Sequence, residues 1–292
     1  MSIFSKAVKS RSKLRLGLIG PSGSGKTFSA LSIATGLGSR IAVIDSEHGS
    51  ASKYADLFEF DVAELTTFSP QHYIDSLKAA VASGYDVVVI DSLSHAWSGR
   101  GGALELVDQA NARSKSGNSF AAWREVTPLH NAMVEAIITC QADVICTMRS
   151  KMEYAVEKDD RGKTSIRKVG LSPIQRDGME YEFDVIGDID QSHQLVITKS
   201  RIPALADAVI TKPGAELAKQ IRSWLDAGVE PMRPPAAITA DQLTQLRHFH
   251  AVLKLPESFW NEIKSRYGVA ASNQLTSDQA DQVIKELKGY GE

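Results

Sequence analysis

Lys13-Leu-Arg-Leu-Gly-Leu-Ile-Gly-Pro-Ser-Gly-Ser-Gly-Lys-Thr27 is the stretch that decides the fold. Its first half is an apolar run that reads as a buried strand ending near Ile19. Gly20-x-x-x-x-Gly25-Lys26-Thr27 follows, and Phe28 to Leu37 has helical spacing. Strand, glycine loop and helix in that order form the context of a phosphate-binding loop. Gly20, Gly23 and Gly25 let backbone N–H groups curl around an anion, and the helix turns its positive end toward it. Pro21, Ser22, Ser24 and Phe28 complete the cradle. Lys26 is placed to reach β- and γ-phosphates, and the Thr27 hydroxyl is a ligand for Mg²⁺. The expected ligands are ATP and Mg²⁺.

Working outward, Ile41-Ala-Val-Ile-Asp45 reads as a second buried strand tipped by the polar cluster Ser46-Glu47-His48-Gly49. Asp61 to Leu65 is a weaker strand. Pro70 to Ser83 carries an apolar helical face that Gly84 stops. Asp86-Val-Val-Val-Ile90-Asp91 is a β-branched run ending in a carboxylate, and Asp91 is the second expected Mg²⁺ ligand. Residues 98 to 119 read as loops around a short helix. Thr127-Pro128 looks like the start of a helix that runs to Cys140. Asp143 to Thr147 is another buried strand. Residues 149 to 177, with eight basic and five acidic side chains, read as a long polar connection of the kind that carries function. Glu180 to Ile189 and Gln194 to Ser200 predict a hairpin, and Pro213 to Gly228 an amphipathic helix.

The chain has 292 residues, 43% hydrophobic and 23% charged, with a net charge of −2. That is the composition of a globular protein without a global electrostatic pull toward nucleic acid. No apolar run approaches a membrane span, so no membrane partner is expected. Cys140 and Cys146 fit neither a disulfide framework nor a metal site; they predict buried thiols in a reducing compartment. Residues 1 to 15 carry five basic side chains and no acid, read as a solvated arm. Pro-rich residues 229–236 predict a linker between an ATPase domain, 1–228, and a helical domain, 237–292. The latter has helices over Ala240 to Lys254, Glu257 to Tyr267 and Ser277 to Leu287, suited to docking a protein partner.

The order of motifs resembles the RecA-like branch of P-loop ATPases, most closely at Ile44-Asp45-Ser46-Glu47-His48 and Val88-Val89-Ile90-Asp91-Ser92. The resemblance covers residues 1 to about 228. It implies an α/β fold with a RecA-like P-loop NTPase core, a mainly parallel sheet and a small C-terminal all-α domain. It makes Glu47 the general base. It places the γ-phosphate sensor at Arg149 or Thr147, where the family commonly has an amide. Lys199 and Arg201 match a basic pair that reaches into a neighbouring subunit's nucleotide; exposed hairpin charges are the other reading. Residues 98–119 and 149–177 occupy the positions of two DNA-binding loops. Arg161, Lys163, Arg167, Lys168 and Arg176 would contact phosphates, with Tyr154 and Phe120 stacking on bases. Phe4-x-x-Ala7 is similar to a short motif that links protomers into filaments.

The closest resemblance is to compact phage-encoded RecA-like ATPases of recombination or single-strand annealing. It is carried by Met1 to Ala7 and Gly178-Met-Glu-Tyr-Glu-Phe-Asp-Val-Ile-Gly187. It implies a DNA-stimulated ATPase that acts on single-stranded DNA in a bacterial host's cytoplasm and self-associates into a filament or ring. Two other readings stay open: a RecA-type helicase or loader, and a nucleotide-switched interaction protein that does not touch DNA.

Overall fold

The computed structural model describes residues 4, 6–113, 119–158, 164–229 and 237–289, with backbone alone over 152–171. The chain divides into two compact units, residues 1–229 and 230–292. The larger unit is α/β. Its sheet has nine strands, introduced in chain order as β1 (Arg15–Gly20), β2 (Ile41–Asp45), β3 (Asp61–Glu64), β4 (Val87–Asp91), β5 (Asp143–Lys158), β6 (Thr164–Pro173), β7 (Val185–Ile189), β8 (Gln194–Ser200) and β9 (Val209–Thr211). The spatial order is β3-β2-β4-β5-β1-β7-β8-β9, with β6 paired to β5 outside that path. The pairs among β3, β2, β4, β5, β1 and β7 are parallel. β8 and β9 close one edge antiparallel. This is the fold class that the glycine loop and the β-branched runs predict.

The central strands are buried on both faces, so they read as continuous apolar runs rather than as alternation. The alternation instead decides which of two cores a residue joins. Leu14, Leu16, Leu18, Val87 and Val89 pack into the first core. There they meet α1 (Lys26–Leu37) and α6 (Ala215–Asp226) through Leu31, Ile33, Leu217, Ile221 and Leu225. Ile19, Ile44, Val88, Ile90, Val144 and Cys146 face the second core. Its helices are α2 (Pro70–Ala82), α3 (Ser94–Ser98) and α5 (Ser119–Ile138), contributing Tyr73, Leu77, Ala96, Met133 and Ile137. The buried Arg15 guanidinium donates to the carbonyl of Ile138, the last residue of α5, to that of Cys140 just beyond it, and to Ala142 at 3.0 Å. It satisfies acceptors that the helix end leaves open.

Three expectations need correction. α5 begins at Ser119 and passes through Pro128, so Thr127-Pro128 is not its start. A helix-interior proline costs one ladder bond and about 3 kcal/mol. The buried stripe Ala122, Val126, His130, Met133 and Ile137 runs across it without a break, and that burial outweighs the loss. Second, most of the described part of residues 149–177 is strand, not loop. β5 continues to Lys158 and β6 returns antiparallel beside it; Met152, Tyr154 and Val156 alternate with Lys151, Glu153 and Glu157, a strand period that charge had obscured. Third, the basic arm is anchored in part. Val229 N–H donates to the Lys9 carbonyl and Arg11 N–H to Val229, each at 2.9 Å, while the Lys9 ammonium lies 4.2 Å from the Trp224 ring centre.

Between α3 and α5, α4 (Ala103–Arg113) is the short helix expected between the loop-like segments. The linker residues 230–236 lie outside the described residues. The smaller unit holds α7 (Ala240–Leu253), α8 (Glu257–Tyr267) and α9 (Ser277–Gly289). Thr239 and Gln242 form a reciprocal capping box at the start of α7. Leu246, Ile263, Leu275, Val283 and Leu287 make its core.

Candidate nucleotide site

β1 delivers the chain to Gly20, and α1 starts six residues later with Gly25 as its N-cap. Gly23 and Gly25 have φ of +80° and +87°, the left-handed region that a side chain would make costly. At Gly20 a Cβ would lie 2.5 Å from the Ile189 carbonyl oxygen. The α1 N-terminus has no side-chain cap, which leaves its first N–H groups for an anion. The Ser24 hydroxyl within the loop is buried without a hydrogen-bond partner. Lys26 Nζ folds back to the Pro21 carbonyl at 2.8 Å. Burial lowers its pKa against the pull of Asp91 and Glu47. A loop of open donors around one partly desolvated ammonium fits a polyphosphate.

The Thr27 hydroxyl donates to Asp91 Oδ2 at 2.7 Å, and Thr147 donates to Asp91 Oδ1. Burial raises the Asp91 carboxyl above the usual aspartate range, and the two hydroxyls oppose that rise. Among the described residues no cluster of three or more His, Cys, Asp or Glu is placed to hold an ion. A cation here would rest on Thr27, Asp91, phosphate oxygens and water. Those are hard oxygen donors, and the set fits Mg²⁺.

The tips of β2 and β4 are locked side by side. Ser46 N–H donates to the Asp91 carbonyl at 2.7 Å. Its hydroxyl donates to the Ser92 carbonyl and accepts from Ser92 N–H, both at 2.9 Å. Asp45 accepts from the N–H groups of Glu47 at 2.6 Å and Ala51 at 3.1 Å, which shapes the turn that follows. The result sets Glu47 and Asp91 into one cavity. Arg149 grips Glu47 with two hydrogen bonds, one of them Nε to Oε1 at 2.9 Å. Burial by itself would raise the Glu47 carboxyl, but the Arg149 hydrogen bonds and charge outweigh it, and its pKa falls. The cavity measures about 510 Å³, and the loop glycines, Lys26, Thr27, Glu47, Asp91 and Arg149 line it. Of the two expected sensors, Arg149 lines the cavity, whereas Thr147 is fully buried with its hydroxyl committed to Asp91.

Residues 12–211, more than half of the chain, match the AAA domain family. The chain belongs to the AAA domain family. No curated protein matches the chain. The AAA domain is a P-loop ATPase domain, so nucleotide binding and hydrolysis follow from membership.

A second cavity of about 500 Å³ lies beside the same loop in the AAA domain. Gly23, Gly25, Phe28, Tyr54, His193, Lys212 and Pro213 contribute to its lining. Phe28 stands edge-on to Tyr54 and Phe58, with ring centres 5.8 and 5.2 Å away. His193 donates from Nδ1 to the Ser24 carbonyl at 2.9 Å. Phe28 is read in the sequence as part of the cradle; Tyr54, His193 and Lys212, which line the same cavity, are not. They carry no local motif; His193 reaches the loop only because β7 lies beside β1.

The remaining expected site residues are elsewhere. Lys199 donates to the carbonyls of Glu180 and Tyr181 at 3.0 and 2.7 Å, and Arg201 pairs with Asp184 at 3.1 Å. Neither lines the cavity around Lys26. Arg161 and Lys163 lie outside the described residues. Arg167 and Lys168 stand on β6 opposite Ala155 and Tyr154. Arg176 follows β6 and donates to Asn131 Oδ1 at 3.2 Å. Phe4 and Phe120 are exposed. Among the described residues no helix is long and apolar enough to cross a membrane.

Proposed function

We propose that this AAA domain is a Mg²⁺-dependent ATPase of the RecA-like kind that works on single-stranded DNA in recombination or strand annealing. The observation that supports it is one strand. β5 carries Thr147 against Asp91 and Arg149 against Glu47, then runs on into the hairpin whose far arm bears Arg167 and Lys168. A DNA strand bound along that hairpin would therefore bear on the nucleotide site through one continuous β-strand.

In this reading Lys26 and the loop amides hold the β- and γ-phosphates, and Tyr54 and Phe28 face the nucleoside. Thr27 and Asp91 would hold Mg²⁺, which when bound neutralises charge developing on the phosphate oxygens. Glu47 takes the proton of the water whose oxygen attacks the γ-phosphorus as the bond to the ADP oxygen breaks. Arg149 holds Glu47 until nucleotide arrives and then turns its charge to the transferring phosphoryl group. Lys199 and Arg201 would reach a neighbouring subunit's nucleotide in a filament or ring.

The test is steady-state ATP hydrolysis with and without single-stranded DNA, at low and high salt. Strong stimulation that falls steeply with salt is expected, because several phosphate contacts release counterions. Hydrolysis indifferent to DNA would leave the ATPase standing and remove DNA as its effector; a nucleotide-switched contact with another protein would then take its place.

A further inference from the structure

Trp97 on α3 and Trp123 on α5 flank the segment that holds α4. Their rings stack at 5.6 Å and 27°. The edge of His130 stands 5.5 Å from Trp97. Beneath them Ala103, Val107, Ala110, Ala122 and Val126 close a small apolar core, so the indoles roof a finished core while remaining half-buried themselves. A cavity of about 380 Å³ opens beside the pair, lined further by Lys151, Gln175, Arg176 and Asp177. Its floor is built. Buried Gln175 donates to the Leu93 carbonyl at 3.0 Å, accepts from Arg176 N–H at 2.9 Å and meets His130 Nε2 at 3.2 Å. Flat π-faces beside two cations from a different part of the chain are what a stacked base and its phosphate require.

The site is wired to the nucleotide. Leu93 N–H donates to the Thr147 carbonyl, and Arg149 N–H donates to Ser94 Oγ at 2.9 Å. α3 thus links Trp97 to the strand that presents Arg149 and Thr147.

We propose that Trp97 and Trp123, with Lys151 and Arg176, form a stacking site for a base of single-stranded DNA. This rests on the reading of DNA as the partner. The site takes any base, since every base has a π-face, and Lys151 and Arg176 bind the adjoining phosphates without sequence choice.

The experiment uses the full chain with fluorescein-labelled oligo(dT) and oligo(rU), read by anisotropy, with intrinsic tryptophan fluorescence followed in parallel. Oligo(dT) should quench tryptophan emission. Trp97→Ala and Trp123→Ala should each weaken oligo(dT) binding by about 5- to 150-fold, the range for losing one base–aromatic stack. Trp97→Phe and Trp123→Phe should retain most affinity while losing part of the quenching. Thermal melting reports whether each variant folds; if the alanine forms do not, the phenylalanine forms and Lys151→Glu decide, the latter being expected to weaken binding. Wild-type binding with undiminished affinity and quenching in these variants overturns the stacking site and leaves DNA as partner. Failure of the wild type to bind oligo(dT) removes the DNA reading itself. Tighter binding of oligo(rU) than of oligo(dT) overturns the assignment to DNA.

Discussion

Replacing Glu47 with Gln isolates the chemistry of the cavity. Two carboxylates line it, Glu47 and Asp91. Asp91 is engaged by the hydroxyls of Thr27 and Thr147, so in the proposed mechanism it is Glu47 that takes a proton from water. Glutamine keeps its length and can still accept one hydrogen bond from Arg149, but it has no basic oxygen. Losing a general base slows hydrolysis by about 10²- to 10⁴-fold, or about 2.7 to 5.4 kcal/mol at 1.36 kcal/mol per decade. Nucleotide affinity should not change, because no phosphate-binding group is altered. Nor should stability: the Arg149 side chain is 47% exposed in its pair with Glu47, and such pairs contribute about 0–1 kcal/mol. A coupled-enzyme ATPase assay alongside binding of a fluorescent ATP analogue separates the two effects.

The pH profile supplies an independent sign. Arg149 holds the Glu47 carboxyl below the usual glutamate range against desolvation, so the base form persists as pH falls. In Arg149→Met only the Ser92 hydrogen bond and His95 remain to oppose desolvation, so the carboxyl moves up and the acidic limb of the kcat/KM profile, which reports the free enzyme, shifts to higher pH. Glu47→Gln hydrolysing at the wild-type rate would refute this reasoning, and so would an acidic limb that stays in place when Arg149 is removed.

Lys26→Ala should abolish ATP binding; a fluorescent nucleotide bound with normal affinity would sink the phosphate-loop reading. Thr147→Val takes one of two hydroxyl donors from a carboxylate that is 2% exposed, and should lower unfolding free energy by about 1.5–3 kcal/mol. Urea denaturation measures it, and an unchanged midpoint would mean that the hydrogen bond contributes nothing. Arg222→Met leaves buried Asp143 with only the Leu14 N–H at 2.8 Å in place of the ion pair at 2.6 Å. The expected cost is about 3 kcal/mol, at the low end for breaking a buried pair, because the Arg222 side chain is 29% exposed and admits water. Calorimetric melting should show the loss, and an unshifted transition would contradict it.

Sequence alone determined the elements whose signals are local. Gly20 to Thr27 between an apolar run and a helical stretch, and Val87 to Ile90 ending in Asp91, specify their own conformations. Neighbouring residues along the chain supply the φ freedom, the period and the cap. The three C-terminal helices are legible for the same reason, through their apolar spacing. Tertiary structure decided what depends on residues far apart. Arg149 and Thr147 differ by two positions, and only the pairing of β5 with β4 and β1 sends one to the cavity and the other beneath Asp91. Pro128 stays inside α5 because an apolar stripe on both sides of it is buried, Ala122 and Val126 against α4 and Met133 and Ile137 in the second core. Tyr54 and His193 meet the phosphate loop, and Trp97 meets Trp123, through strand order and helix packing. A linear pattern carries no term for such contacts, since their energy comes from surfaces that the chain brings together only when it folds.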